Sequence, residues 1–120
     1  MAIAHARPGE VIDVRPLGER LPSVATHALV KTRSLELIRL VLLAGQSLPR
    51  HSVQGEVTVL CIEGAVRVDA QVGSCELRAG QMVLLPAHDE HALLAHEAAS
   101  LLVTIQLPAG LPGSDSSTTR

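Results

Sequence analysis

The sequence predicts a single all-β domain, and three observations favour this class. The chain has 120 residues, which is the usual size of one domain. Its apolar residues fall in short runs separated by Gly, Pro and polar residues, without a sustained helical period. Hydrophobic residues make up 47% of the chain and charged residues 18%, which is the composition of a globular protein. Together these features predict an antiparallel sandwich or barrel.

The predicted strands are short apolar or alternating segments that end at turn residues. In chain order they span Leu35 to Leu43, Glu56 to Ile62, Ala65 to Val72, Met82 to Leu85, His91 to Leu94 and Leu101 to Leu107. Gly64 follows one of these strands and Pro86 ends another, as expected for turns. Residues 92–100 also suit a helical turn, because Ala, Leu and Glu favour helix. We interpret them instead as two strands joined by a turn at His96 and Glu97, since so short a helix is marginal.

The two ends of the chain differ in composition from its middle. We assign residues 1–24 to an N-terminal segment that could add an edge strand, residues 25–108 to the barrel, and residues 109–120 to a disordered tail. The tail is rich in Gly, Pro, Ser and Thr and has no hydrophobic period. The first residues do not resemble a signal peptide, so we expect a cytoplasmic location. In that compartment Cys61 and Cys75 should be reduced thiols.

The amino-acid composition argues against several classes of function. The chain contains no Phe, Tyr or Trp, which rules out base stacking, aromatic cages and catalytic tyrosines. Lys31 is the single lysine and the arginines form no run, which argues against a nucleic-acid partner. The longest apolar runs are far shorter than the roughly 18 to 20 residues of a membrane-spanning helix. We therefore expect neither nucleic acid nor a membrane as a partner.

Two segments combine turn glycines with histidine and carry the most specific pattern. The first runs from Gly45 to Gly64 (GQSLPRHSVQGEVTVLCIEG) and the second from Gly80 to Ala95 (GQMVLLPAHDEHALLA). Together they resemble the paired motifs of the cupin superfamily. The residues that match those motifs are Gly45, His51, Gly64, Gly80, Pro86 and His91. The resemblance covers roughly Leu35 to Leu107 and implies a single antiparallel jelly-roll β-barrel, in agreement with the strand pattern.

The resemblance also implies a metal site, but this chain fills it incompletely. Metal-binding cupins use two histidines and a glutamate of the first motif and one histidine of the second. Here Val53 and Val57 occupy two of these positions, so the candidate metal ligands are His51 and His91 alone. Iron, manganese and nickel sites usually have three or four protein ligands, often including a carboxylate. We therefore expect no cofactor, and a divalent metal at well below full occupancy.

Three residues are candidates for a replacement ligand. Glu56 should face the opposite side of its strand from Val57, unless a β-bulge turns it inward. Cys61 has the same parity as Val57 and should face the barrel interior, either as a soft-metal ligand or as a small buried hydrophobe. His88 stands where the family motif has glycine. We interpret it as a turn residue with positive φ rather than as a ligand.

Two further charged features have both a structural and a functional interpretation. Arg39 interrupts the apolar residues at alternate positions from Leu35 to Leu43. It could anchor a carboxylate or phosphate if this set faces the interior. We favour the alternative, a solvated charge on the outer face. Asp89 and Glu90 could orient the imidazole of His91, but solvated turn carboxylates are commoner.

Three functional hypotheses follow from this pattern. The first is a binding module without enzyme activity, which holds a small ligand in an aliphatic cavity. Its predicted ligand-binding residues are His51, Val53, Val57, Val59, Cys61, His91 and Leu93. The second is a metal-dependent enzyme of the dioxygenase or isomerase type, using His51, His91 and a replacement ligand. The third is a homodimer in which Val11 to Val14 adds a strand to a partner. The loss of metal ligands favours the first hypothesis over the second.

Overall fold

A computed structural model describes residues 4–108 of the chain. These residues contain seven strands, namely β1 (His27–Lys31), β2 (Leu35–Leu42), β3 (Ser47–His51), β4 (Val57–Ala70), β5 (Gly73–Arg78), β6 (Met82–Leu85) and β7 (His91–Gln106). A 3₁₀ helix, Gly18–Ser23, precedes them. Within this part of the chain, no helix is long and apolar enough to cross a membrane. The predicted disordered tail, residues 109–120, lies outside the described residues.

The two longest strands, β4 and β7, organise the sheet. The strand order is β1-β2-β7-β4-β5, while β3 also pairs with β7 and β6 also pairs with β4. Every pair is antiparallel. The first part of β7 pairs with β3 and the second part with β2, whereas β4 follows it along most of its length. Strand β7 thus joins β2 and β3 to β4 in one sheet, and the predicted all-β antiparallel class is confirmed.

The core is built from aliphatic side chains, as a chain without aromatic residues requires. Its buried members include Leu40, Leu42, Val57, Val59, Cys61, Leu93 and Leu101. They come from alternate positions of β2, β4 and β7, because successive side chains of a strand point to opposite faces. The predicted inward orientation of Cys61, with Val57 and Val59, is confirmed.

Two turns predicted from the sequence are parts of continuous strands. Strand β4 runs through Glu63 and Gly64, and β7 runs through His96 and Glu97. The register between β4 and β7 shifts around Glu63, so the extra residues form bulges instead of ending the strands. Gly64 has a φ of +86°, and a Cβ atom there would lie 2.8 Å from the Cα of Ala99. Both turn predictions are wrong because a local sequence pattern does not distinguish a bulge from a turn.

The sequence pattern does not predict β1, β3 and β5. These strands are short, and most of their residues are exposed or only half-buried. Strand β3 also contains Pro49, which lacks the N–H group that a ladder uses. β1 and β5 are stabilised by pairing with β2 and β4, their neighbours along the chain, whereas β3 pairs with β7, which is remote in sequence.

The N-terminal segment packs against the outside of the barrel. Val11 to Val14 lies outside the strands of the described chain, so pairing of this segment with a second copy stays a prediction. Glu63, at the bulge in β4, holds the segment in place. Its carboxylate accepts hydrogen bonds from the backbone N–H groups of Leu17 (2.7 Å) and Gly18 (3.0 Å) and from the hydroxyl of Ser100.

Candidate functional site

The structure brings His51 and His91 together where β3 ends and β7 begins. The two residues are direct cross-strand partners. Their ring centroids lie 4.5 Å apart, and the ring planes are inclined by 60°. His91 is only 4% exposed, whereas His51 is open to solvent. The pair therefore joins a buried imidazole to one at the surface.

Backbone carbonyl groups hold both imidazole rings. Nδ1 of His51 lies 3.0 Å from the carbonyl oxygen of Pro49, and Nδ1 of His91 lies 2.9 Å from that of Asp89. A carbonyl oxygen only accepts hydrogen bonds, so Nδ1 is the donor in each ring. In the neutral form, Nε2 of each histidine then carries a lone pair. The pair thus offers two nitrogen atoms that can accept a hydrogen bond or bind a metal.

Asp89 positions the loop that leads into His91. Its buried carboxylate accepts hydrogen bonds from the N–H groups of Gln71 (2.9 Å) and Val72 (3.0 Å), in the turn between β4 and β5. Its carbonyl oxygen is the group that binds the ring of His91. The interpretation of Asp89 as a solvated carboxylate is therefore wrong, because the neighbouring turn provides the donors that a buried carboxylate needs. Glu90 remains exposed.

His88 adopts the backbone conformation expected of a residue that replaces glycine. Its φ is +65°, in the left-handed region, and its side chain is exposed. Its N–H group donates to the carbonyl oxygen of Val53 at 2.9 Å. The predicted turn conformation is confirmed, and this bond ties the loop before β7 to the chain that follows β3.

The remaining predicted site residues lie in the core or in solvent. The predicted pocket residues that are fully buried in the core are Val57, Val59, Cys61 and Leu93. Val53 is partly buried against that core, and Glu56 is exposed. The sulfur of Cys61 lies 3.4 Å from the carbonyl oxygen of Glu63, and burial raises the pKa of this thiol. Cys61 is therefore a buried, protonated side chain that packs as a small hydrophobe.

The side chains available do not fit the metal site of the metal-binding relatives. Among residues 4–108, no three His, Cys, Asp or Glu side chains are grouped so that they could hold one ion. The histidine pair provides two nitrogen ligands and no carboxylate, whereas protein sites for these metals usually have three or four ligands. A metal bound at the pair would depend on ligands from outside residues 4–108.

Arg39 lies in a place that neither sequence interpretation describes. Its neighbours Leu40 and Leu42 face the core, so Arg39 faces outward, yet it is only 3% exposed. Its Nη1 and Nη2 atoms each donate to the carbonyl oxygen of Arg15 at 3.0 Å. The favoured interpretation, a solvated charge, is wrong because the N-terminal segment covers this face of β2.

A cavity of about 540 Å³ lies between the N-terminal segment and the outer face of β1 and β2. Arg15, Arg20, His27 and Arg39 line it together with several apolar side chains. Sequence reasoning missed this site. The one indication in the sequence was the charge of Arg39 within an apolar run. The local sequence pattern does not predict the path of the N-terminal segment that covers Arg39.

The strand topology and the histidine pair define a cupin-type domain, and solved structures agree with this class. A conserved protein of unknown function from Streptococcus pyogenes is similar, with a TM-score of 0.70 and 23% identity over 92% of this chain and 97% of that one. A cupin superfamily protein from Desulfitobacterium hafniense has a TM-score of 0.70 and 17% identity, over 86% of this chain and 100% of that one. An RmlC-like cupin family protein with a double-stranded β-helix fold, from Methanocaldococcus jannaschii, has a TM-score of 0.66 and 17% identity, over 82% and 93%. The predicted cupin jelly-roll fold is confirmed.

The family model that describes the AraC-like ligand binding domain matches residues 42–105. The chain therefore belongs to the AraC-like ligand binding domain family, within the cupin superfamily. No curated protein matches the sequence. The matched region begins at the end of β2 and includes both histidines of the pair.

Proposed function

We propose that the protein is a binding module that holds a small amphipathic molecule at the His51–His91 pair and does not catalyse a reaction. One observation carries this proposal. Both Nδ1 atoms are bound to backbone carbonyl oxygens, which leaves both Nε2 atoms for a ligand. Membership of a family of ligand binding domains supports the same conclusion.

The chemistry of the pair indicates the kind of molecule it would bind. Two neutral imidazoles whose Nδ1–H groups are already used accept hydrogen bonds through Nε2 and donate none there. A ligand with two neighbouring hydroxyl or N–H groups would suit rings 4.5 Å apart. Leu48 and Val53, which flank His51 in the chain and are partly buried against the core, offer apolar contacts beside the pair. Vicinal diols with a small apolar body combine these properties.

A metal-dependent enzyme of the dioxygenase or isomerase type is the second candidate. Histidines that bind metal ions through one ring nitrogen usually donate the N–H group of the other nitrogen to a carbonyl or carboxylate oxygen, as Nδ1 does here. The donor set favours the binding module, because Val53 and Val57 replace two ligands and Glu56 points to solvent. We expect the purified protein to hold well below one equivalent of iron, manganese, nickel or zinc.

Imidazole nitrogen resonances of isotope-labelled protein test the binding site directly. During a titration with a vicinal cyclohexanediol, Nε2 of His51 and of His91 should shift together and saturate. Either His51→Ala or His91→Ala should abolish saturable binding. His96→Ala is the matched control, because His96 is exposed and bonds to Glu76 at 2.9 Å. Binding that persists in both pair variants would contradict the proposal.

Metal content distinguishes the two candidate functions. Elemental analysis of tag-free protein, prepared without chelators, should give far less than one equivalent of any divalent metal. One full equivalent of metal that is lost in His51→Ala and in His91→Ala, but is kept in His96→Ala, would favour the metal-dependent enzyme over the binding module.

Homodimer formation is a separate proposal, supported by an exposed apolar strand. Among the described strands, β6 pairs with β4 alone. Its Met82 and Leu84 are 61% and 57% exposed. An exposed apolar strand of this kind tends to be covered by another chain. Light scattering at micromolar concentration should give twice the mass of one chain, and a monomer would remove this proposal.

A further inference from the structure

The cavity outside the barrel is a concave site that contains neither histidine of the pair. Its volume of about 540 Å³ lies within the roughly 300 to 1,000 Å³ of sites for small molecules. His27 and Arg39, which are cross-strand partners on β1 and β2, line it from the sheet. Arg20, in the 3₁₀ helix, lines it from the N-terminal segment. The site therefore lies on the opposite face of β2 from the barrel core.

Arg39 is a buried cation without a carboxylate partner among residues 4–108. It is 97% buried by the exposure given above, and none of the salt bridges in this part of the chain includes it. Its hydrogen bonds run from Nη1 and Nη2 to the carbonyl oxygens of Arg15 and Asp13. A guanidinium group has five N–H donors, and these three bonds leave Nε–H and one Nη1–H without an acceptor among residues 4–108. Buried charges are normally paired, but Arg39 contacts no carboxylate directly among the described residues, and those of Glu63 and Asp13, whose pKa its charge lowers, act on it only at longer range.

The other charges around the cavity also favour an anion. Arg15, Arg20 and Arg39 line it, against the single carboxylate of Asp13. Asp13 is already bound by Arg15, with Nε 3.0 Å from Oδ1 and Nη2 2.8 Å from Oδ2. This exposed pair is neutral as a unit. Within residues 4–108, Arg20 and Arg39 are therefore the lining cations that no carboxylate contacts directly.

Apolar side chains make up much of the remaining lining. Leu17 and Val24, from the N-terminal segment, and Leu29, from β1, lie beside the arginines. A purely ionic ligand such as inorganic phosphate would leave these side chains in contact with water. A carboxylate joined to a short aliphatic chain would satisfy the guanidinium groups and also bury apolar surface.

We infer that this cavity binds a small aliphatic carboxylate, whose oxygens accept hydrogen bonds from Arg39 and Arg20. The aliphatic part of the ligand would pack against Leu17, Val24 and Leu29. Since Arg39 also holds residues 13–15, a bound ligand would join the N-terminal segment to the outer face of the sheet. The inference does not use the histidine pair, so its test is independent of the function proposed above.

Hexanoate is the probe that tests this site, and the Arg Nε–H resonances of the full chain report binding. We expect a saturable shift of Arg39 Nε–H with hexanoate. Hexanol has the same aliphatic chain without the charge, and inorganic phosphate has the charge without the chain. Each of these two probes should bind at least about tenfold more weakly, because each lacks one of the two recognition elements.

Two variants and two controls locate the binding. Arg20→Gln and Arg39→Lys should each weaken hexanoate binding by about tenfold, which is the loss expected when a charge-assisted hydrogen bond is removed. Arg39→Lys keeps the charge but loses the planar fork. Arg78→Gln removes an exposed arginine from β5 and should leave binding unchanged. His91→Ala should also leave it unchanged, which separates this cavity from the histidine pair.

Several outcomes would overturn the inference. They are the absence of saturable hexanoate binding, equal binding of hexanol or of phosphate, and unchanged binding in both Arg20→Gln and Arg39→Lys. Loss of binding in His91→Ala would place the ligand at the histidine pair instead. If Arg39→Lys disturbs the N-terminal segment, its backbone amide spectrum will show this. Arg20→Gln still decides the question, because Arg20 is exposed and its side chain holds no other residue among those described.

Discussion

Replacing Glu63 with alanine should release the N-terminal segment from the barrel and destabilise the fold. The Glu63 carboxylate accepts hydrogen bonds from three donors, namely the N–H groups of Leu17 and Gly18 and the hydroxyl of Ser100. Ser100 is fully buried, so its hydroxyl would lose its acceptor without access to water. The 3₁₀ helix would also lose the acceptor at its first turn, and its buried Leu21 would be held less firmly.

The expected loss of stability follows from those three bonds. A hydrogen bond to a charged group contributes about 1.5 to 3 kcal/mol in mutational series. The two N–H groups lie near the surface and can bind water after the substitution, so most of the loss comes from Ser100. We expect Glu63→Ala to lower the free energy of unfolding by about 2 to 3 kcal/mol. For a domain of this size, that corresponds to a fall in Tm of about 10 °C.

The effect of Glu63 should also depend on pH. Burial of its carboxyl group opposes ionisation, but the hydrogen bonds from Ser100, Leu17 and Gly18 outweigh it and keep the pKa of Glu63 below its ordinary value. A carboxyl group whose pKa falls on folding stabilises the folded state fully above its unfolded pKa, which is about 4.3 for glutamate. That stabilisation is lost as the pH drops through the folded pKa. The difference between wild type and Glu63→Gln should therefore shrink below about pH 4.

Urea unfolding followed by far-UV circular dichroism measures both effects, since a chain without Trp or Tyr has no useful intrinsic fluorescence. Glu97→Gln is the matched control, because Glu97 is an exposed carboxylate on β7 that accepts no side-chain hydrogen bond within residues 4–108. We expect this control to change stability by less than about 0.5 kcal/mol. The reasoning would be refuted if Glu63→Ala behaved like the control, or if the Glu63→Gln difference were the same at neutral and acid pH.

Three further substitutions or modifications test other parts of the structure. Gly64→Ala should lower the free energy of unfolding by more than about 2 kcal/mol, because its Cβ would overlap the backbone of β7. Gly80→Ala is the control: Gly80 has a similar positive φ but open space around it, so the loss should be only about 1 kcal/mol. Equal losses in the two variants would contradict the close approach of the chains at the bulge. Asp89→Ala should cost about 2 kcal/mol in thermal or urea unfolding, because two N–H groups lose a buried acceptor, and it should also move the ring resonances of the histidine pair. Iodoacetamide should label Cys75 well before Cys61, because the thiol of Cys61 is buried and has a raised pKa. Mass spectrometry of the labelled peptides measures the two rates. Faster labelling of Cys61 would contradict its position in the core.

The correct sequence predictions share a physical basis in local geometry. Alternation along a strand determines which side chains share a face, and this placed Cys61 in the interior and Glu56 in solvent. Positive φ is tolerated by few residues, and this identified His88 as a turn residue. The wrong predictions concern features that depend on a remote partner. Glu63 ends no strand, because β7 continues to pair with β4 on both sides of the bulge.

The sequence by itself determined that this chain is an all-β cupin domain with an aliphatic core and two remaining motif histidines. Short-range periodicity and the absence of aromatic residues indicate the all-β class and the aliphatic core, whereas the cupin assignment and the two histidines come from the resemblance of the two motifs to that family. Only the tertiary structure decided that His51 and His91 become cross-strand partners with both Nδ1 atoms already bound. It also decided that Arg39 is buried beneath the N-terminal segment, beside a cavity. Both results depend on contacts between segments far apart in the chain, which no local pattern of residues specifies.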